Sequence, residues 1–281
     1  MMKRRDFVIG ALASAVAGPA IAMPEPGMPN GHPVGLQLYT IRELMGKDPA
    51  AALTLVAEVG YRFVEFAGYF DHQPAEIRRW LDELGLKAPA AHVGQTDLED
   101  NFETLVETAS VLGHNYIVLG GLHRADRTSL DAYRRAADKF NTWGEAARAN
   151  GIRFAYHNHA FEFEGMDGRL PYDVLLERTD PELVDFELDL YWIKAGGEDP
   201  LKYFERFSGR FPLWHIKDMD VAGEMADVGD GLIDFAAIFD HAAQAGLQNG
   251  FVEHDRPTDP AATIRRSFTA LARLRATGPG R

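Results

Sequence analysis

The chain has 281 residues, no cysteine, and 42 acidic against 29 basic residues, a formal net charge of −13. That length allows one large domain or two small ones, and 46% hydrophobic content supports a sizeable core. Without cysteine there is no disulfide, iron–sulfur cluster, thiolate metal site or thiol nucleophile, so His, Asp and Glu must hold any metal. The acidic balance opposes a nucleic-acid partner, whose phosphates it would repel.

Residues 1–22 read as a leader. Lys3, Arg4 and Arg5 form a basic head, Phe7 to Ala17 an apolar run, and Ala20-Ile21-Ala22 a small-residue cleavage site. The paired arginines followed by Asp6, Phe7 and Val8 resemble a twin-arginine export signal. The run is too short for a comfortable membrane span, so no stable membrane insertion is expected once the leader is removed. The implied location is periplasmic, reached by a route that exports folded proteins with cofactors installed. Residues 23–33, which include PEPGMPNGHP, read as a Pro/Gly-rich linker, leaving 34–276 as the functional domain.

From there strand and helix patterns alternate. VGLQLYT (34–40) precedes a helix over 49–59, YRFVEF (61–66) one over 75–84, KAPAAHVG (87–94) one over 98–112, and NYIVLGG (115–121) one over 129–149. In the second half, IRFAYHNH (152–159) leads to 172–178, LVDFELDL (183–190) to 200–207, FPLWHIKD (211–218) to 235–246, and GFVEHD (250–255) to 260–275. Gly60, Gly85, Gly113, Gly151 and Gly246 stand where helices need a left-handed cap. Eight such units in about 250 residues predict a single-domain α/β fold, the (β/α)₈ TIM barrel. An open doubly wound sheet would carry a glycine-rich first turn, which VGLQLYTIRE lacks.

In a barrel the active site lies where strands end and βα loops begin. Those ends supply Gln37, Tyr39 and Arg42; Glu65; His92; Gly120, Gly121 and His123; His157 and His159; Glu187 and Asp189; His215, Lys217 and Asp218; and Glu253, Asp255 and Arg256. Inward-facing acids and histidines in such numbers are costly to bury unless paired or metal-bound. Asp189, His215 and Glu253 come from three consecutive strands, and neighbouring strands lie roughly 5 Å apart. A carboxylate, an imidazole and a second carboxylate there form a nitrogen/oxygen site for one divalent ion, Mn²⁺ first, with Mg²⁺, Co²⁺ or Zn²⁺ as alternatives. The strand FAYHNH is expected to supply a fourth ligand.

GLQLYTIRE, LDLYW, WHIKD and VEHD together resemble the xylose-isomerase-like TIM barrels, the sugar phosphate isomerase/epimerase group, over roughly Val34 to Leu274. The resemblance implies a metal held by Glu, Asp, His and Glu from strands five to eight. Asp189, His215 and Glu253 match the last three. The first position departs from the pattern: Glu-Asn-His is replaced by His-Asn-His, which puts His157 at the metal, while a one-residue shift nominates Tyr156 or Asn158. In the family two glutamates shuttle a proton through an enediolate. One glutamate facing one imidazole suits abstraction followed by expulsion of a leaving group as well as it suits epimerisation.

The expected protein is therefore a metal-dependent isomerase or epimerase of an unphosphorylated sugar or keto-sugar. The alternatives are a lyase or hydratase of 3-keto-glycosides or inosose-like polyols, and a non-catalytic periplasmic sugar-binding protein. Glu253, His157 and Lys217 are the expected catalytic groups, and Glu65, His92, His159 and Arg256 the expected sugar contacts. Lys217 has a salt bridge to Asp218 or Asp220 as its bland reading, Glu162 is a loop residue or hydrogen-bond partner, and a homodimer is possible.

Overall fold

A computed structural model describes Gly31 and residues 33–277; the leader and nearly all of the linker lie outside them. Ten strands occur in the described residues: β1 (Val34–Gln37), β2 (Phe63–Ala67), β3 (Lys87–Val93), β4 (Tyr116–Leu119), β5 (Arg153–His157), β6 (Val184–Asp189), β7 (Leu213–Ile216), β8 (Asp218–Met219), β9 (Met225–Ala226) and β10 (Asn249–Val252). Eight of them close into a barrel in the order β1-β10-β7-β6-β5-β4-β3-β2, and every barrel pair is parallel. The predicted TIM barrel is the observed fold. β8 and β9 form a separate antiparallel hairpin.

Strand periodicity sorts the side chains. Phe154, Tyr156, Phe186, Leu188, Trp214 and Ile216 belong to the main core cluster, whereas Ala90, Val118, Ala155, Leu213 and Phe251 form a second cluster on the alternate positions. Gly35 has no side chain because Phe251 takes its space: a Cβ there would lie 2.7 Å from the Phe251 ring. Above that floor the alternation turns ionisable, with Glu187 and Asp189 on β6 and His215 with Lys217 at the end of β7.

Several boundaries differ from expectation for local reasons. β1 ends at Gln37, whose side-chain oxygen accepts the Tyr39 N–H and starts a 3₁₀ turn over Leu38–Ile41. The single helix expected over 98–112 is two, Gln95–Asp100 and Phe102–Leu112, broken at Asn101. The one expected over 235–246 is likewise divided into Phe235–Phe239 and Ala242–Ala245. Gly60 has φ 119°, and a Cβ at that position would meet the Phe268 ring at 2.5 Å, so both backbone and packing require glycine. Among the described residues no helix is long and apolar enough to cross a membrane.

Candidate metal centre

Asp189 closes β6 and begins the helix Leu190–Ala195. Its Oδ1 accepts the N–H groups of Tyr191 (3.0 Å) and Trp192 (2.8 Å), a cap that fixes the carboxylate and leaves Oδ2 facing the barrel axis. Asn158 Oδ1 accepts the Asp189 N–H at 3.0 Å and ties the end of β6 to the end of β5. His215 is the register partner of Asp189. Its Nδ1 lies 2.6 Å from Glu253 Oε2 and 3.6 Å from Asp189 Oδ2. His157, the last residue of β5, places Nε2 3.1 Å from Asp189 Oδ2.

One donor atom from each of His157, Asp189, His215 and Glu253 therefore lies within 4.8 Å of the others. Whether this set fits a metal can be tested on its hydrogen bonding. His215 Nδ1 and Glu253 Oε2 are buried and lie 2.6 Å apart as an ion pair, without hydrogen-bond geometry between them. Buried polar atoms normally satisfy one another. Donors that converge without doing so are arranged for a cation between them, and two imidazoles with two carboxylates suit a divalent ion of the Mn²⁺-to-Zn²⁺ range. The residues fit.

Lys217 is the counter-charge within this set. Its Nζ lies 3.0 Å from Asp189 Oδ2, 2.8 Å from Glu253 Oε2 and 2.7 Å from Asp255 Oδ1, with the side chain 2% exposed. The ion pair with Asp218 or Asp220 weighed from the sequence does not form. Asp218 instead accepts backbone N–H groups of Met219, Gly229, Gly231 and Ile233 and so orders the loop after β8. Burial alone would raise the Asp189 and Glu253 carboxyls, but the Lys217 ammonium and the neighbouring histidines hold both well below the usual range. Both are ionised at neutral pH.

His215 also belongs to a second group, in which one donor atom each from Glu65, His92, Glu187 and His215 lies within 4.8 Å of the others. Glu65 Oε2 lies 2.8 Å from His215 Nε2 and accepts the Gln37 amide at 2.8 Å, while Glu187 Oε2 lies 2.5 Å from His92 Nε2 and 3.2 Å from His215 Nε2. Burial, then in Glu65 the charge of Glu187, pushes each of these carboxyls up to about 7. His215 thus turns one ring nitrogen to the candidate ligands and the other to carboxylates, the usual way a metal-bound imidazole is oriented. Burial, with the nearby charge of His215, drives His157 well below the ordinary histidine range, so its imidazole is neutral. A neutral ring suits a ligand, and desolvation opposes the proton-donor part of the catalytic role expected of His157.

The rest of HNHAFEF braces the set. Glu162 is fully buried; its Oε1 accepts the Tyr156 hydroxyl and its Oε2 the His159 N–H at 2.8 Å. Tyr156 therefore points to Glu162 and the core. Burial raises the Glu162 carboxyl to about 8, against partial lowering by those hydrogen bonds. An acid raised in the folded state stabilises fully below its unfolded value of 4.5, and that contribution is lost as pH rises through 8. Glu162→Gln is accordingly expected to gain on the order of 3 kcal/mol relative to wild type between pH 5 and 8.5 in urea denaturation. A difference independent of pH would contradict this account of the brace.

The expected sugar contacts take different places. Glu65 is fully buried against His215, against its reading as a sugar contact: it lies in the middle of β2, two residues before the strand ends at Ala67. His92 is 16% exposed in its side chain and its ring lies 4.9 Å from those of both His157 and His215. His159 packs 5.6 Å from Trp192, and His159 Nδ1 and Trp192 Nε1 are buried with no hydrogen-bond partner among the described residues. Arg256 is exposed beyond Asp255. The sequence reading assigned no role to Glu187, Asp255 or Gln37. The signal was available for Glu187, which stands two residues from Asp189 and so faces the same side of β6.

A profile described as xylose isomerase-like TIM barrel matches residues 53–274. The chain belongs to the xylose isomerase-like TIM barrel family. An inosose dehydratase of Lacticaseibacillus casei is 30% identical to this family member over 242 residues, which cover 72% of this chain and 80% of that protein. A sugar phosphate isomerase/epimerase from Parabacteroides distasonis ATCC 8503 superposes with a TM-score of 0.74 at 25% identity, over 92% of this chain and 96% of that one. The IolI protein with a bound zinc atom shares the fold, with a TM-score of 0.69 at 17% identity over 87% and 98% of the two chains. This xylose isomerase-like barrel is an enzyme of a sugar-processing fold, with a candidate metal-binding group of His, Asp and Glu at its mouth.

Proposed function

We propose that the chain is a divalent-metal-dependent lyase that removes water next to a ketone in an unphosphorylated cyclic polyol or keto-sugar. The carrying observation is the asymmetry of the centre: one carboxylate base, Glu253, converges with the neutral imidazole of His157 on the donor atoms of Asp189 and His215. The naming of the Lacticaseibacillus relative as an inosose dehydratase supports the same class. A divalent ion bound there supplies Lewis acidity to a ketone oxygen.

The chain's own groups do the rest. Glu253, kept ionised by Lys217 and His215, takes the proton from the carbon next to the ketone. Lys217, held protonated by Asp189, Glu253 and Asp255 against the cost of burial, donates toward oxygen as the β-hydroxyl leaves. The C–H and C–O bonds break, a C=C bond forms, and the hydroxyl departs as water. His159 Nδ1 and Trp192 Nε1 offer unsatisfied nitrogens for substrate hydroxyls. The mixed donor set supports Mn²⁺, Co²⁺ or Zn²⁺ over Mg²⁺, and the Lys3–Ala22 leader supports a periplasmic location.

Epimerisation shares the first proton abstraction and is favoured by the Parabacteroides neighbour's name. Incubating inosose and 3-keto-glycosides with the metal-loaded enzyme in D₂O, followed by NMR, separates the two. The lyase reading expects a metal-dependent enone with its olefinic signal; deuterium at carbon with retained hydroxyls supports an epimerase. Binding with neither exchange nor product would reject both in favour of a sugar-binding protein.

A further inference from the structure

A cleft of about 700 Å³ opens beside the candidate metal centre on the β1–β3 side of the barrel mouth. His92 belongs to both: it lines the cleft, and its ring lies 4.9 Å from those of His157 and His215. None of Asp189, His215 and Glu253 lines it, so the cleft is set beside the metal ligands. Its volume falls within the range of pockets that enclose whole organic ligands.

The lining states what fits. Tyr39, Tyr69 and Phe70 contribute aromatic rings, and Asp71, Asp97 and Asn101 contribute hydrogen-bond acceptors at the rim. No lysine or arginine is among the lining residues, and the neighbouring Arg42 guanidinium is engaged by the Tyr39 ring and carbonyl oxygen. Tyr39 is 41% exposed, one of few large hydrophobic residues so placed among those described, and the Arg42 guanidinium stacks on its ring with 4.2 Å to the centroid. Phe70 and Asp71 both have left-handed backbones, φ 52° and 61°, without being glycine. Strain of that kind persists where surrounding structure holds it, and here it places both side chains on the cleft wall.

Aromatic faces with an acidic and amide rim bind neutral rings: the faces cover C–H or aryl surfaces and the acceptors take hydroxyls. We propose that the substrate carries a neutral second ring, glycosyl or aryl, seated between Tyr39, Tyr69 and Phe70 while the reacting ring lies over the metal centre. The physiological substrate is then a glycoside, neither a free monosaccharide nor a phosphate ester. This rests on the reading that the reaction centre lies at Asp189, His215 and Glu253.

Isothermal titration of the metal-loaded enzyme with glucose, phenyl β-glucoside, cellobiose and glucose 6-phosphate tests it. At least one of the two-ring probes is expected to bind about tenfold or more tightly than glucose, with no such gain for the phosphate. Tyr39→Ala and Asn101→Ala, both at exposed positions, are expected to cut the two-ring advantage to under threefold. Failure of both two-ring probes to bind at millimolar concentration, an advantage below twofold in wild type, or an advantage surviving in both variants would overturn the proposal. The comparison reads binding alone, so an enzyme that makes no enone yet shows the two-ring advantage refutes the lyase reading and leaves this one standing.

Discussion

Glu253→Gln is expected to lower turnover by about 10³-fold, within the range for loss of a general base, and to weaken metal binding in the same variant. The amide keeps the shape of the side chain but removes the charge that faces His215 Nδ1 at 2.6 Å and Lys217 Nζ at 2.8 Å. If Glu253 only held the ion, saturating metal would restore activity. Because the proposed reaction also has Glu253 take the proton, kcat is expected to stay low with the metal site refilled, while KM changes little. An E253Q variant retaining more than a tenth of wild-type kcat at saturating metal would remove Glu253 from the base role. His157→Ala provides the contrast: loss of a neutral ligand is expected to act chiefly through metal affinity and to be recovered in part at high metal concentration.

Lys217→Met is expected to destabilise the metal-free protein by about 3–5 kcal/mol, the usual cost of removing one partner from a buried ion pair. The substitution preserves apolar volume and leaves Asp189, Glu253 and Asp255 without the ammonium they share at 2.7–3.0 Å. Acids this close cannot all stay ionised without a cation. A divalent ion provides that charge, so the variant is expected to gain more stability on metal addition than wild type does. Urea denaturation with and without Mn²⁺ or Zn²⁺ reads both effects. Equal metal-induced stabilisation in the two proteins would show that Lys217 and the metal do not share the same carboxylates. Activity is also expected to fall, since the proposed reaction has Lys217 protonate the leaving group.

Much of this arrangement was legible in residue order. Eight βα alternations with glycine stops led to the barrel, and the barrel turned strand ends into a map on which Asp189, His215 and Glu253 fall together. What strand order does not state is depth. Asp189 closes β6 whereas Glu65 lies within β2, and the two meet opposite nitrogens of the His215 ring. Position in the chain could not separate a sugar contact from a carboxylate that orients a ligand. Glu187 was within reach, because period-two spacing turns it to the same side of β6 as Asp189. The contact of Tyr156 with Glu162 passes through a loop and depends on how that loop folds back, which no spacing rule encodes. The same holds for Asp218, whose carboxylate collects N–H groups from as far along as Ile233.

Metal titration of chelator-treated wild-type protein, followed by calorimetry and by recovery of activity, tests the central claim most directly. One divalent ion per chain is expected, with activity rising in step with occupancy and both lost together in His215→Ala. Full activity in protein holding no metal, or a stoichiometric site that survives in His215→Ala, would contradict it.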